Sequence, residues 1–372
     1  MKTDALPPDL DSILHESNSS LDTEESRLVS ARKELPDIAN RFDPLLSKLY
    51  VALADQATNA IELATRFGRA LLLESINTPN SADLIVDDRS LYWSRLMGLV
   101  LIRTALSTRL SASPELILKA SELFERESRI RLNDTPDRAQ AEKQPIFLSC
   151  FDPFTLDNNL AQSNPSAVIA FSLCRERICG HPVAVAVFPV RYDDFDAGIV
   201  ESSFKPVFLS SVRLVLTISM GRDRFDLERF PGRRRSSSAP DNRGRIGPVD
   251  NKPTPCMDGP EFLEFSLPAT SMSMEKGDWK VVDNRHVSTE ENGDFDATSL
   301  VEITGQTAVN GSGGGFLSNE IAYRTLLLQA KLNRQFPLGH LHVPRISDYE
   351  PKTLSNMTSQ TRSLIVAALE ST

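Results

Sequence analysis

The chain has 372 residues, 40% of them hydrophobic and 24% charged, with 41 Lys and Arg against 50 Asp and Glu for a net charge of −9. A chain of this length and composition buries a real core in one or two domains, which excludes wholesale disorder, collagen and a small disulfide scaffold. The acidic balance argues against general binding of nucleic acid or of an anionic membrane, and Cys150, Cys174, Cys179 and Cys256 form no CxxC pair for a zinc ribbon. With no apolar segment at the N-terminus to serve as a leader and no run of 18 apolar residues, the expectation is a soluble cytoplasmic protein.

The first 36 or so residues are polar and read as frayed, with one helix around Leu21–Leu35. From Leu46 to Leu71 the apolar positions Leu46, Leu49, Leu53, Ala57, Ile61, Ala64, Phe67 and Leu71 recur at helical spacing, which predicts one long amphipathic helix. A second apolar stretch covers Tyr92–Leu110. A third helix starts at Ser113-Pro114-Glu115, which supplies a cap, a proline at the first helical position and an acid suited to the helix dipole, and it runs to about Ile130. Residues 1–140 therefore read as all helical, without strands. The polar segment Leu132–Pro145 is the best domain boundary.

After that segment the period changes. Ile146-Phe147-Leu148 is a short apolar run, Ser166–Leu173 a helix, Pro182–Val190 a β-branched run, Tyr192–Val200 a short helix and Val212–Ile218 a buried strand. This alternation predicts βαβ units and a mostly parallel sheet with helices on both faces. Residues 231–315 are rich in Pro, Gly, Ser, Asp and Asn and read as long loops with short strands. A helix follows from about Phe316 to Gln335, then a strand at Leu341–Val343 and a terminal helix at Met357–Leu369.

Four islands of the second region carry chemistry. Ser149–Phe154, with Asn164-Pro165-Ser166 after it, puts two phenylalanines and a turn at the carboxyl end of the first strand, where α/β sheets bind ligands. An Asp-Pro turn beside core aromatics is the blander alternative. Gly221–Arg229, followed by Pro240-Asp241-Asn242 and Gly244, offers carboxylates that either orient a histidine or are solvated surface acids. Gly311–Asn319 is a glycine-rich helix start whose free N–H groups and dipole suit a developing anion. It carries neither a P-loop nor a G-x-S-x-G elbow, and a flexible linker reads equally well. In Gly339–Pro344, His340 and His342 share one face of a strand but lack a third metal ligand, and a strand histidine is most often a satisfied core residue. Taken together the islands supply an acid, a hydroxyl at a helix start and a histidine, the set required for an orienter, a nucleophile and a base.

The same islands resemble the pyroglutamyl-peptidase I family, cysteine peptidases that remove N-terminal pyroglutamate. The resemblance covers residues 146–372 and rests on Ser149–Phe154, Asn164–Ser166, Pro189–Tyr192, Gly221-Arg222 with Glu228-Arg229, Pro240–Gly244, Ser312–Asn319 and His342-Val343-Pro344. It implies a three-layer α/β/α sandwich preceded by an all-helical extension, and no cofactor or metal. It also implies that Glu228 and His342 are the catalytic acid and histidine and that Ser318 stands at the nucleophile position, where the family has cysteine. Phe151, Phe154, Phe316, Leu317 and the backbone of Ile218 fall at substrate-contacting positions. The family's glycine-rich strand end is here Thr217–Gly221, the arginine expected before Asp241 is Ser238, and the loop between Asn242 and Ser312 is longer than the family's.

Two functions follow from the resemblance: a pyroglutamyl-peptidase-like hydrolase that removes N-terminal pyroglutamate from peptides, weakly because Ser318 replaces cysteine, or a pseudoenzyme that binds a capped peptide or small amide while its helical domain recruits a partner. Whether the chain forms a homo-oligomer is left open. A third reading takes Arg233–Ser238 as a basic-serine run open to phosphorylation or nucleic acid, against which the net charge weighs.

Overall fold

The structure is a computed structural model and describes residues 9–55, 59–77, 86–108, 112–131, 143–248, 252–347 and 349–371. These fall into two compact units. The first comprises residues up to 131 together with 155–163; the second comprises 143–154 and everything from 164 onward.

The first unit is helical: α1 (Leu10–Glu16), α2 (Leu28–Glu34), α3 (Pro36–Ala39), α4 (Asp43–Asp55), α5 (Ala60–Asn77), α6 (Asp88–Ser107) and α7 (Pro114–Glu127), ending in a two-residue strand β1 (Ile130–Arg131). Residues 10–34 are not frayed. Leu10, Leu14, Leu28 and Ala31 are buried, Asp9 caps α1, and the Arg32 guanidinium bridges Asp11 and Asp43. The long helix expected over Leu46–Leu71 is two helices, α4 and α5, and residues 56–58 between them lie outside the described set. The apolar period runs on through the interruption, so spacing alone does not register it. Ser113 caps α7 as its sequence predicts, accepting from the Leu116 N–H at 3.3 Å. α6 is buried almost all round, with Trp93, Met97 and Leu101 inside and Arg95 held by the Ser128 hydroxyl at 3.0 Å. The loop 155–163 is tied into this unit through Asp157 on Arg27, the Ala161 carbonyl on Arg89, and Ser163 on Asp88. The polar boundary at Leu132–Pro145 falls largely outside the described residues.

The second unit opens with β2 (Ile146–Phe151), α8 (Pro165–Leu173), β3 (Arg177–Ile178), β4 (His181–Phe188), α9 (Tyr192–Asp196), α10 (Ile199–Leu209), β5 (Leu214–Met220) and β6 (Phe225–Glu228). The middle stretch holds β7 (Arg234–Arg235), β8 (Thr254–Pro255), α11 (Ala269–Ser273), β9 (Val281–Asn284), β10 (His286–Thr289), β11 (Gly293–Asp296) and β12 (Ala308–Asn310). The chain closes with α12 (Leu317–Lys331), β13 (Leu338–Val343) and α13 (Pro351–Glu370). The main sheet runs in the order β4-β2-β5-β13-β6-β9, with β4, β2, β5 and β13 mutually parallel and β6 antiparallel to β13. All six residues of β2 are buried, which requires cover on both faces. α8 packs with α13 over β2 and β5, and α12 packs with α10 over β5 and β13. The fold is thus the expected α/β/α sandwich with a mostly parallel sheet.

The expected helix over Tyr192–Val200 is split into α9 and α10 by Gly198 at φ +84°. Residues 231–315 are more ordered than loops. β9 joins the main sheet, and β10, β11 and β12 form a small antiparallel sheet whose inner side packs Val287, Ala297, Ile303 and Ala308 against Phe230 and Phe262. Arg233, Arg234 and Arg235 are paired with Glu261 and Glu320 rather than presented as a basic run. Among the described residues no helix is long and apolar enough to cross a membrane.

Candidate functional site

Sheet register sets the site. β5 and β13 pair in parallel so that Thr217 lies beside His340 and Ser219 beside His342, at the carboxyl ends of both strands. On the other side β13 pairs with β6, which brings Glu228 toward His342. The His342 Nδ1 and Glu228 Oε1 are 2.6 Å apart, and the second carboxylate oxygen accepts from the Asn284 amide at 2.7 Å. Glu228 is 2% exposed at its side chain and His342 12%. Burial pushes the Glu228 carboxyl above its usual range, and His342 and Asn284 oppose that rise. Asn284 also donates to the Ser312 carbonyl at 2.9 Å, so one amide joins the carboxylate to the glycine-rich loop.

That loop is built by close approach. Gly311 and Gly314 bond to each other in both directions, and the Ser312 hydroxyl accepts from the Phe230 N–H at 2.9 Å. A Cβ on Gly311 would sit 2.1 Å from both the Asn319 side-chain oxygen and the Gly232 nitrogen, so only glycine fits. Asn319, in the first turn of α12, accepts from the Gly232 N–H at 2.9 Å and donates to its carbonyl at 2.7 Å. Phe316 at the cap position supplies no side-chain cap, which leaves the first-turn N–H groups to other acceptors. Ser318 follows, its hydroxyl in a long 3.4 Å contact with the Gly313 carbonyl.

Two cavities meet here. A cleft of about 990 Å³ is lined by Glu228, His342, Asn284, Ser312 and the residues through Phe316, with β10 and β11 contributing His286 and Asp296. A small pocket of about 30 Å³ is lined by Phe151, Phe154, Phe316, Leu317 and Ser318 together with Asn164, Val190, Ser219 and Met220. Met220 and Phe316 line both. The structure thus gathers Ser318 and four of the expected substrate-contacting residues in the pocket, and Glu228 and His342 in the adjoining cleft. Ile218 does not line the pocket; it is fully buried and its neighbours Ser219 and Met220 take that place. The Phe154 and Phe316 rings stand 6.3 Å apart, and Tyr192 meets Phe316 edge-on at 5.6 Å.

The other motif residues hold this arrangement. Asn164 caps α8 and donates to the Asp152 carbonyl, and Asn242 donates to the Pro153 carbonyl, fixing the turn that carries Phe154. Asp241 accepts from the Tyr192, Arg243 and Arg245 N–H groups. In the first turn of α12, Glu320 is fully buried and accepts from both Arg235 and Arg324, and Arg235 lies 5.0 Å over the Tyr192 ring. Asn284 and Glu320 escape notice in the sequence. Asn284 in particular sits in a polar, patternless stretch with no signal to mark it.

His340 is fully buried, bonded at Nδ1 to the Thr217 hydroxyl and at Nε2 to the Ser219 hydroxyl, both at 2.8 Å. Its ring meets that of His342 edge-on at 4.8 Å. Among the described residues no group of three His, Cys, Asp or Glu side chains could hold a metal ion. In the first unit, a groove of about 1050 Å³ is lined by Asp11, Arg32, Asp43 and Arg66, among others. Its Arg32 is committed to Asp11 and Asp43.

Comparison with known proteins follows the same region. The uncharacterized protein PA0049 of Pseudomonas aeruginosa is 29% identical over 415 residues, spanning 83% of this chain and 74% of that protein. Among solved structures, the pyrrolidone carboxyl peptidase of Pyrococcus furiosus is similar with a TM-score of 0.45 and 17% identity, over 61% of this chain and 99% of that one. The pyroglutamyl peptidase I of Bacillus amyloliquefaciens gives 0.45 and 16%, over 61% and 95%. The family model of the PA0049 C-terminal domain matches residues 145–299 and 280–347, more than half of the chain. By that match the chain belongs to the PA0049 C-terminal domain family.

Proposed function

We propose that the second unit is a pyroglutamyl-peptidase-like hydrolase that removes N-terminal pyroglutamate from peptides in the cytoplasm, slowly because serine replaces cysteine. In this reading the domain division lies near residues 140–146, and the helical part is an added module. The observation that carries the proposal is the buried His342–Glu228 pair at 2.6 Å, in a cleft that shares Phe316 and Met220 with the pocket lined by Ser318. Glu228 holds Nδ1–H, which leaves Nε2 as the basic nitrogen. His342 takes the proton of Ser318 as its oxygen attacks the amide carbonyl, and the N–H groups at the start of α12 face the developing oxyanion. His342 then returns that proton to the departing amine, and water repeats the sequence on the ester. The terminal ring occupies the aromatic pocket by parting Phe154 and Phe316, and the rest of the peptide lies along the larger cleft.

One observation favours binding without cleavage: the Ser318 hydroxyl is turned to the Gly313 carbonyl. A serine hydroxyl is also far more basic than a thiol and must lose its proton during attack, whereas a cysteine beside histidine can lose it beforehand. Assay of the wild type, Ser318→Ala and Ser318→Cys on a pyroglutamyl chromogenic substrate separates the two. Wild-type hydrolysis abolished in Ser318→Ala supports the serine hydrolase. An inactive wild type made active by Ser318→Cys, with a gain on the order of 10²-fold or more, supports a pseudoenzyme with an intact pocket. Inactivity of all three removes the catalytic reading.

A further inference from the structure

The small pocket contains a polar group that the aromatic lining does not account for. Ser219 lines it, is itself 5% exposed, and bonds to His340 Nε2 at 2.8 Å. His340 Nδ1 bonds at 2.8 Å to Thr217, and the Thr217 hydroxyl donates to the Gly339 carbonyl at 3.2 Å.

Proton counting fixes the direction of this chain. A carbonyl only accepts, so the single Thr217 proton goes to Gly339. Thr217 then accepts, and Nδ1 carries the His340 proton. Nε2 is left as an acceptor and takes the Ser219 proton. Burial and the neighbouring His342 both keep His340 neutral, which preserves that tautomer. Ser219, which lines the pocket, therefore keeps lone pairs and has no proton to give.

We propose that Ser219 is a specificity-determining hydrogen-bond acceptor in the small pocket, so that the pocket selects a small ring or side chain presenting an N–H or O–H donor over the hydrocarbon of the same shape. This rests on the reading that the pocket seats the terminal ring of the substrate. The physical basis is asymmetric: a ligand without a donor leaves the buried Ser219 oxygen without its hydrogen bond to water or to the ligand, and a site built around a hydrogen bond rejects such an analogue far more strongly than an apolar site would. His340 and Thr217 act through Ser219, as positioning residues.

The test uses two probes that differ only at one ring position, 2-pyrrolidinone and cyclopentanone, titrated into the full chain by NMR. The wild type should bind 2-pyrrolidinone at least about tenfold more tightly. In Ser219→Ala the ratio should fall toward one through loss of 2-pyrrolidinone affinity alone. In His340→Phe, which frees the Ser219 proton, it should fall several-fold. Independently of any variant, nitrogen-15 spectra of the histidines should show His340 protonated at Nδ1 and bare at Nε2. Equal binding of both probes by the wild type, or a His340 protonated at Nε2, overturns the inference while leaving the pocket reading standing. Binding of neither probe overturns the pocket reading and the inference with it.

Discussion

At the scale of single residues, the site depends on contacts with no slack. A Cβ on Gly221 would lie 2.7 Å from the His342 Cβ and 3.3 Å from the Val343 carbonyl. Gly221→Ala should therefore push the His342 ring off Glu228, lower stability by about 1–3 kcal/mol, and abolish any hydrolysis; thermal unfolding and the chromogenic assay check both. His340 gives a second expectation with a definite sign. Its folded-state pKa lies well below the ordinary histidine value of 6.5, so as pH falls through that value the unfolded chain takes up a proton that the folded chain refuses. Stability is lost on the acid side, by up to about 1.4 kcal/mol per pH unit. His340→Phe should remove that component, so the difference between wild-type and variant unfolding free energies should be flat above pH 6.5 and slope below it. A difference with no slope between pH 6.5 and 5 would contradict a buried neutral imidazole.

At the scale of elements, the support for the helix start is a relay of charge and aromatic rings. Glu320 holds Arg235 and Arg324, Arg235 covers Tyr192, and Tyr192 abuts Phe316 at the pocket. Glu320→Ala leaves two buried guanidinium groups short of an acceptor, although Asp196 and Glu201 remain to them. A loss of about 3 kcal/mol in urea unfolding is expected, with pocket affinity falling in parallel. How far such elements could be read from sequence depended on burial pattern. β2, β4 and β5 announce themselves because both their faces are covered and their residues are mostly apolar. β6 reads Phe-Asp-Leu-Glu, which resembles an exposed strand or a charged turn, yet all four residues are buried because Arg224 and His342 satisfy its two acids. The glycine-rich start of α12 and the His342 strand were legible as motifs, since their residue types are dictated by chemistry. The Asn284 bridge was not, because its role arises only when β9 pairs with β6. The small sheet of β10, β11 and β12 was hidden for a related reason: its core borrows Phe230 and Phe262 from elsewhere in the chain, so its own strands carry few apolar residues.

At the scale of the whole molecule, the two units interleave along the sequence. The first is completed by residues 155–163, which enter it from within the second. A chain beginning at Gln144 should still form the sheet and its flanking helices, since the pairings among β2, β4, β5, β13, β6 and β9 all lie beyond that point. Its 155–163 loop would lose Arg27, Asp88 and Arg89 as partners. Limited proteolysis should cut the shortened chain there before anywhere else in the α/β region, and leave the same loop intact in the full chain. Aggregation of the shortened chain would show that the helical residues complete the main core.

The same excursion imposes an order on synthesis. When Arg131 leaves the ribosome the helical unit is still missing a piece, and it stays unfinished until Ser163 has emerged. By then the strand Ile146–Phe151 is already outside, mostly apolar and without β4 or β5 to pair with. The nascent chain therefore passes through an interval in which one unit has just become able to close while the first strand of the other waits exposed, and translation speed across Thr155–Ser163 and the residues that follow sets how long that interval lasts.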